Sequence, residues 1–190
     1  PVHGDERDFI AAIGFPANHP VHHPGYPLWV GLGTLAAEAG LTPYQTYQFW
    51  SILASIAAPV MLFVGLAGLT EIELAWWIAL AFGANPLLWF TSVAALNYAA
   101  AGAMGLAVAG ECWRALSKDD TSALRRAAWI LAIGIFLRPD LVAWLGPLLA
   151  FTAWRVRRGR WWRTLLPAVA AAVRLTPPHV YPGVKVDPIA

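Results

Sequence analysis

From Leu28 onward the apolar residues come in blocks, and the polar residues between them mark where elements end. Residues 46–68, bounded by Thr42-Pro43 and Thr70-Glu71, supply about 34 Å of helix at 1.5 Å per residue, enough for a hydrocarbon core of about 30 Å. Two more blocks follow: 74–90, broken near Asn85-Pro86, and 93–110, which ends at Glu111. Residues 27–40 are too few to span; with Glu38 and their glycines they read as a helix lying at the membrane interface. Blocks 128–137 and 141–154 amount to only about 15 Å and 21 Å, a short hairpin with Arg138-Pro139-Asp140 at its tip. Residues 164–173 open another span, and the polar stretch 174–190, with its prolines, does not continue it and is read as a tail of unknown role. These blocks predict an all-α fold, a polytopic transmembrane helical bundle over residues 46–173.

Charge sharpens that picture. Of the residues, 58% are apolar and 13% charged, against about 25% charged in an ordinary soluble domain. Between Asp8 and Glu111 the only charged residues are Glu38, Glu71 and Glu73. Residues 111–126 carry Arg114, Lys118, Arg125 and Arg126, and residues 155–163 carry Arg155, Arg157, Arg158, Arg160 and Arg163. The positive-inside rule makes both segments cytoplasmic loops. Counting crossings back places residues 1–45 on the extracytoplasmic side. A net charge of +2, with almost all basic residues held back until Arg114, provides no continuous nucleic-acid face. The single Cys112 excludes an internal disulfide or a cysteine-based zinc site. The chain opens at Pro1 with no basic and apolar leader, so no signal peptide is visible and it reads as a fragment.

Residues 1–26 form a polar outer segment that holds most of the candidate chemistry. Asp5 and Asp8 are three apart and share a face if Asp5–Ala12 is helical; paired carboxylates act as a general base or bind a divalent cation, and a solvated acidic loop has the same composition. In His22-His23-Pro24-Gly25-Tyr26-Pro27-Leu28 two prolines around Gly-Tyr fix a rigid turn, which holds both histidines where the chain meets the membrane. An interfacial anchor is the simpler alternative for that turn. Arg138 and Asp140 stand in an apolar stretch, where burying either at the bilayer centre costs about 2.5–3.5 kcal/mol, so they are either functional or a local pair capping two half-helices. The run RVRRGRWWR at 155–163 suits an anionic inner leaflet, and topology alone accounts for it.

The motif HHPGYPLW, preceded about 17 residues earlier by Asp-x-x-Asp, resembles the HPPGYPL signature of polytopic GT-C glycosyltransferases, the protein O-mannosyltransferase-like membrane enzymes. Asn85-Pro86-Leu87-Leu88-Trp89-Phe90 and Phe136-Leu137-Arg138-Pro139-Asp140 add to the likeness, which covers roughly residues 5–150. Two positions depart from it: His23 stands where the signature has its first Pro, and Ala94-Ala95-Leu96-Asn97-Tyr98 stands where relatives have an acidic residue before a Val-Tyr. The resemblance implies a transferase that moves a sugar from a polyprenyl-phosphate donor to a glycan or protein acceptor by inverting displacement, in a bacterial or archaeal cell membrane. It assigns Asp5 as catalytic base with Asp8 beside it, and places His22, with His23 and Tyr26 of the same signature, near the lipid phosphate.

The chemistry asks for the same parts. A lipid-phosphate leaving group needs no nucleotide pocket, and no Gly-rich phosphate loop is present. It needs donors at the phosphate, for which His22, His23 and Arg138 are the candidates, and a carboxylate to deprotonate the acceptor. No cofactor is expected beyond a divalent cation at the carboxylates, and the expected partners are the donor, membrane lipids and the acceptor. The alternative from another class is a non-enzymatic transporter or membrane assembly subunit in which Arg138 and Asp140 line a polar pathway.

Overall fold

The computed structural model describes residues 26–94, 96–157 and 165–171. Among these residues all regular structure is helical, in seven helices followed by a helical stretch at 165–171: α1 (Pro27–Glu38), α2 (Pro43–Leu66), α3 (Ile72–Gly83), α4 (Pro86–Val93), α5 (Tyr98–Lys118), α6 (Thr121–Leu137) and α7 (Leu141–Arg157). The helix starts are set by local chemistry. Pro27, Pro43 and Pro86 occupy first turns, where a missing N–H leaves no hydrogen bond unmade. Thr42 closes a capping box on α2: its Oγ1 accepts the Gln45 N–H at 3.4 Å and Gln45 Oε1 accepts the Thr42 N–H at 3.2 Å. Asn85 and Asp120 cap α4 and α6 by accepting the N–H of Leu87 and of Ser122.

α2 is 24 residues long with a mean hydropathy of 2.1 in its most apolar stretch. It is the one described helix that alone is long and apolar enough to cross a membrane, and its large side chains are mostly outward. α3 and α4 meet that criterion together, bent by 53° at Ala84-Asn85. The expected break near Asn85-Pro86 is therefore present. Trp89 Nε1 donates to the Gly83 carbonyl at 2.7 Å across the bend.

One expected loop is absent. Residues 111–126 are not a loop: α5 runs on to Lys118, and only Asp119 and Asp120 separate it from α6. The reason is local. Glu111 pairs with Arg114 one turn on, at 2.8 Å, so these charges stay on a helix surface instead of ending the helix. Asp119 then takes a left-handed φ of 50°, a conformation Asp tolerates, and turns the chain back. The hairpin arms α6 and α7 are also longer than their apolar blocks, at 17 residues each.

Successive long elements alternate in direction. Pro59 of α2 packs near Gly83 of α3 while Tyr44 and Gln48 donate to the Val93 carbonyl at the end of α4, so that pair runs antiparallel to α2. α5 runs parallel to α2: Ser51 Oγ donates to the Leu96 carbonyl at 2.8 Å, and Gly65 meets Gly110 closely enough that a Cβ on either would lie within 3.6–3.8 Å of the other's Cα. α6 returns, with Asn97 beside Leu137 at one end and Glu111 beside Arg126 at the other. Leu141 of α7 then reaches back to Gly134 of α6, and Leu145 lies near Gly105 of α5.

These contacts also fix the stagger of α2 and α5. Ser51 is eight residues past Pro43, about 12 Å, and it meets Leu96, two residues before α5. Gly65 is about 33 Å past Pro43, and Gly110 is about 18 Å past Tyr98. Both contacts agree that α5 begins about 12–15 Å below the start of α2. Packing is dominated by small residues. Ala101, Ala115, Ala123, Ala127, Ala128 and Ala153 are buried between α5, α6 and α7, while Trp76, Trp77, Trp89 and Trp144 are exposed. Small residues inside and large apolar ones outside let helix backbones approach without a hydrophobic driving force between them.

Candidate functional site

Tyr26 and Arg138 come to the same end of the molecule. α1 lies against the first third of α2. Trp29 stacks on Tyr47 with centroids 5.4 Å apart, Trp50 Nε1 donates to the Leu32 carbonyl at 2.8 Å, and Gly33 leaves the notch that Tyr47 fills. Trp29, Tyr47 and Leu137 form a buried cluster, and Tyr26 packs against it. Leu137 is the last residue of α6 and precedes Arg138, so the entry to α1 and the tip of the α6–α7 hairpin share that cluster.

Arg138 is held from two sides. It follows α6 in extended backbone, where Pro139 prevents the helix from continuing. Its Nε donates to both carboxylate oxygens of Asp140, at 2.8 and 3.0 Å. Its guanidinium carbon lies 4.3 Å from the centroid of the Tyr98 ring, a cation–π contact worth about 0.5–2 kcal/mol depending on its hydration. Tyr98 opens α5, and its position is set by Asn97, which is 4% exposed and donates through Nδ2 to the Leu137 carbonyl at 3.0 Å. Nε carries both bonds to Asp140, and the Tyr98 side chain is also a hydrogen-bonding neighbour of the guanidinium. The local Arg–Asp pair, one of the two alternatives for these residues, is thus present. In the sequence Asn97 and Tyr98 stood out only as a departure from the family pattern, without a role, because the contact between Tyr98 and Arg138 spans forty positions and no local pattern announces it.

Asp5, Asp8, His22 and His23 lie outside the described residues. Among the described residues no group of three or more His, Cys, Asp or Glu side chains is arranged to hold a metal ion.

The opposite end carries the basic residues. Glu111 accepts Arg114 at 2.8 Å and Arg126 at 2.9 Å through both Nε and Nη2, tying α5 to α6. Asp120 accepts the Ser122 hydroxyl at 2.6 Å and its N–H at 2.7 Å, and these two bonds, with Arg126 nearby at 3.7 Å, hold its carboxyl below its ordinary value. A third feature is an apolar cavity of about 550 Å³ between α2, α3 and α4, bordered by Ile56, Pro59, Trp76 and Trp89; none of its lining comes from α5, α6 or α7. It is separate from the Arg138 cluster. Comparison with family models, with curated proteins and with solved structures finds no match for this chain.

Proposed function

We propose that the chain belongs to a multi-pass membrane glycosyltransferase that takes a sugar from a polyprenyl-phosphate donor at the extracytoplasmic face. The alternating helix directions, the outward-facing large apolar residues and the gathering of Arg114, Lys118, Arg125, Arg126 and Arg155 at one end support a bundle in a bilayer with that end inside. The end that holds Tyr26 and Arg138 is then the outer one. In this reading the acceptor hydroxyl attacks the anomeric carbon and the bond from that carbon to the phosphate oxygen breaks. The acceptor proton passes to Asp5, with Asp8 beside it, and the leaving polyprenyl phosphate is met by His22, His23, Tyr26 and Arg138. The motif HHPGYPLW resembles the family's signature, and the observation that carries the site is Arg138. It is a charge at a helix break, steadied by Asp140 and Tyr98, with its outer nitrogens available to an anion.

The test uses the protein in sealed, right-side-out membrane vesicles with a radiolabelled polyprenyl-phosphate sugar added outside. Wild type is expected to transfer label to membrane acceptor and release polyprenyl phosphate. Asp5→Asn, which keeps size but loses proton-accepting ability, is expected to lower the rate by about 10²–10⁴. Transfer by the inserted Asp5→Asn protein at more than about a tenth of the wild-type rate removes Asp5 as the base. Transfer only from inverted vesicles removes the extracytoplasmic assignment.

A further inference from the structure

A guanidinium has two faces and a fork of five N–H donors in one plane. In this site much of that is already used. Tyr98 covers one face, and Asp140 takes Nε with both of its oxygens. What remains is the Nη1–Nη2 end, whose parallel N–H bonds match two oxygens held in the guanidinium plane. The side chain of Arg138 is 21% exposed, that of Asp140 46%, and Tyr98 44%, so the cluster is partly open at the surface of the bundle. Asp140 also cancels the charge of Arg138 locally. A net-neutral pair discriminates among anions by the geometry of its donors more than by attraction to charge.

We propose that Tyr98 and Asp140 are positioning residues that turn Arg138 into a bidentate site for one phosphate group, presented end-on to Nη1 and Nη2. Tyr98 fixes the plane, and Asp140 fixes rotation within that plane. This rests on the donor reading above only for the source of the phosphate; a lipid phosphate and a free phosphate present the same two oxygens. The depth of the site favours the lipid. Tyr98 begins α5 about 12–15 Å below the start of α2, a level that a lipid headgroup reaches only when drawn into the bundle.

The experiment measures binding by ³¹P line broadening to the protein purified in a phosphate-free maltoside detergent, with dodecyl phosphate and inorganic phosphate as separate probes. Each variant is first shown to be folded by its thermal melt. Tyr98→Phe, which keeps the ring, is expected to bind within about twofold of wild type, and Tyr98→Leu to bind about tenfold more weakly, within the range of a desolvated cation–π contact. Tyr98→Met replaces the leucine variant if that one melts early. Arg138→Lys keeps the charge but not the fork and is expected to lose as much as Tyr98→Leu. Wild-type binding by a folded Tyr98→Leu or Tyr98→Met protein overturns the positioning role and leaves Arg138 as a phosphate ligand. Undiminished binding by both Arg138→Lys and Arg138→Ala overturns the site, and with it the part of the donor reading that uses Arg138. Tighter binding of dodecyl phosphate supports a lipid source, and equal binding of the two probes supports the phosphate group as the whole determinant.

Discussion

Asp120 holds the head of α6 through two bonds to Ser122, and that makes one element of stability depend on a proton. Those bonds lower its carboxyl from the ordinary 3.8 in the folded chain. A depressed carboxyl contributes stability that is fully present above its unfolded value and is lost as pH falls through the folded one. The thermal melt in detergent should therefore be insensitive to this group near neutral pH. Below 3.8 it should fall more steeply for wild type than for Asp120→Asn, which keeps a cap but has no proton to take up. Parallel pH profiles for the two proteins would show that the cap carries no linkage. Single residues also set how far the sequence could be read. Arg138-Pro139-Asp140 was legible because a charged triplet in an apolar stretch violates its surroundings, and Pro139 dictates the break. Asn97 and Tyr98 were not, since their meaning lies in Leu137 and Arg138 across the bundle.

Between α1 and α2 the fit depends on one glycine out of two. A Cβ added at Gly33 would fall 2.6–2.7 Å from the Tyr47 ring and hydroxyl, whereas one added at Gly31 meets nothing within 4 Å. Gly33→Ala must move Tyr47, which stacks on Trp29, or lift α1, and overpacking of this kind costs about 1–3 kcal/mol. Gly31→Ala removes only backbone freedom and should stabilise by about 0.5–1 kcal/mol. Proteolysis within residues 26–42 in detergent should accelerate for the first variant and slow for the second; equal rates would mean α1 is not seated on Tyr47. The positions of α1, α2 and the α3–α4 bend followed from apolar blocks, prolines and Asn85, all local signals. The true lengths of α5 and α6 did not. Hydropathy reports where a bilayer would end, and Glu111, Arg114 and Arg126 continue the helices beyond that edge by pairing with one another.

Taken whole, the molecule places alanine between helices and most of its described tryptophans outside, Trp29 being the buried one, and neither this arrangement nor the stagger of α2 and α5 was read from the sequence. The stagger arises from the particular contacts Ser51–Leu96 and Gly65–Gly110. It has an electrical consequence. With the start of α2 at the outer edge of the bilayer, a phosphate on Arg138 would have passed about two-fifths to a half of the way through a hydrocarbon core of about 30 Å. Full passage of one charge is worth about 2.3 kcal/mol per 100 mV, so two-fifths to a half of it is about 1 kcal/mol, roughly a five- to sevenfold change in affinity. An interior-negative potential opposes an anion entering from outside. Dodecyl phosphate binding to the protein in vesicles should accordingly weaken by about that factor for each 100 mV imposed. A potential that strengthens binding instead would place Arg138 nearer the inner face and reverse the orientation of the whole bundle. On the proposed reading, the offset between two parallel helices would make the energised state of the membrane a term in the affinity of the site.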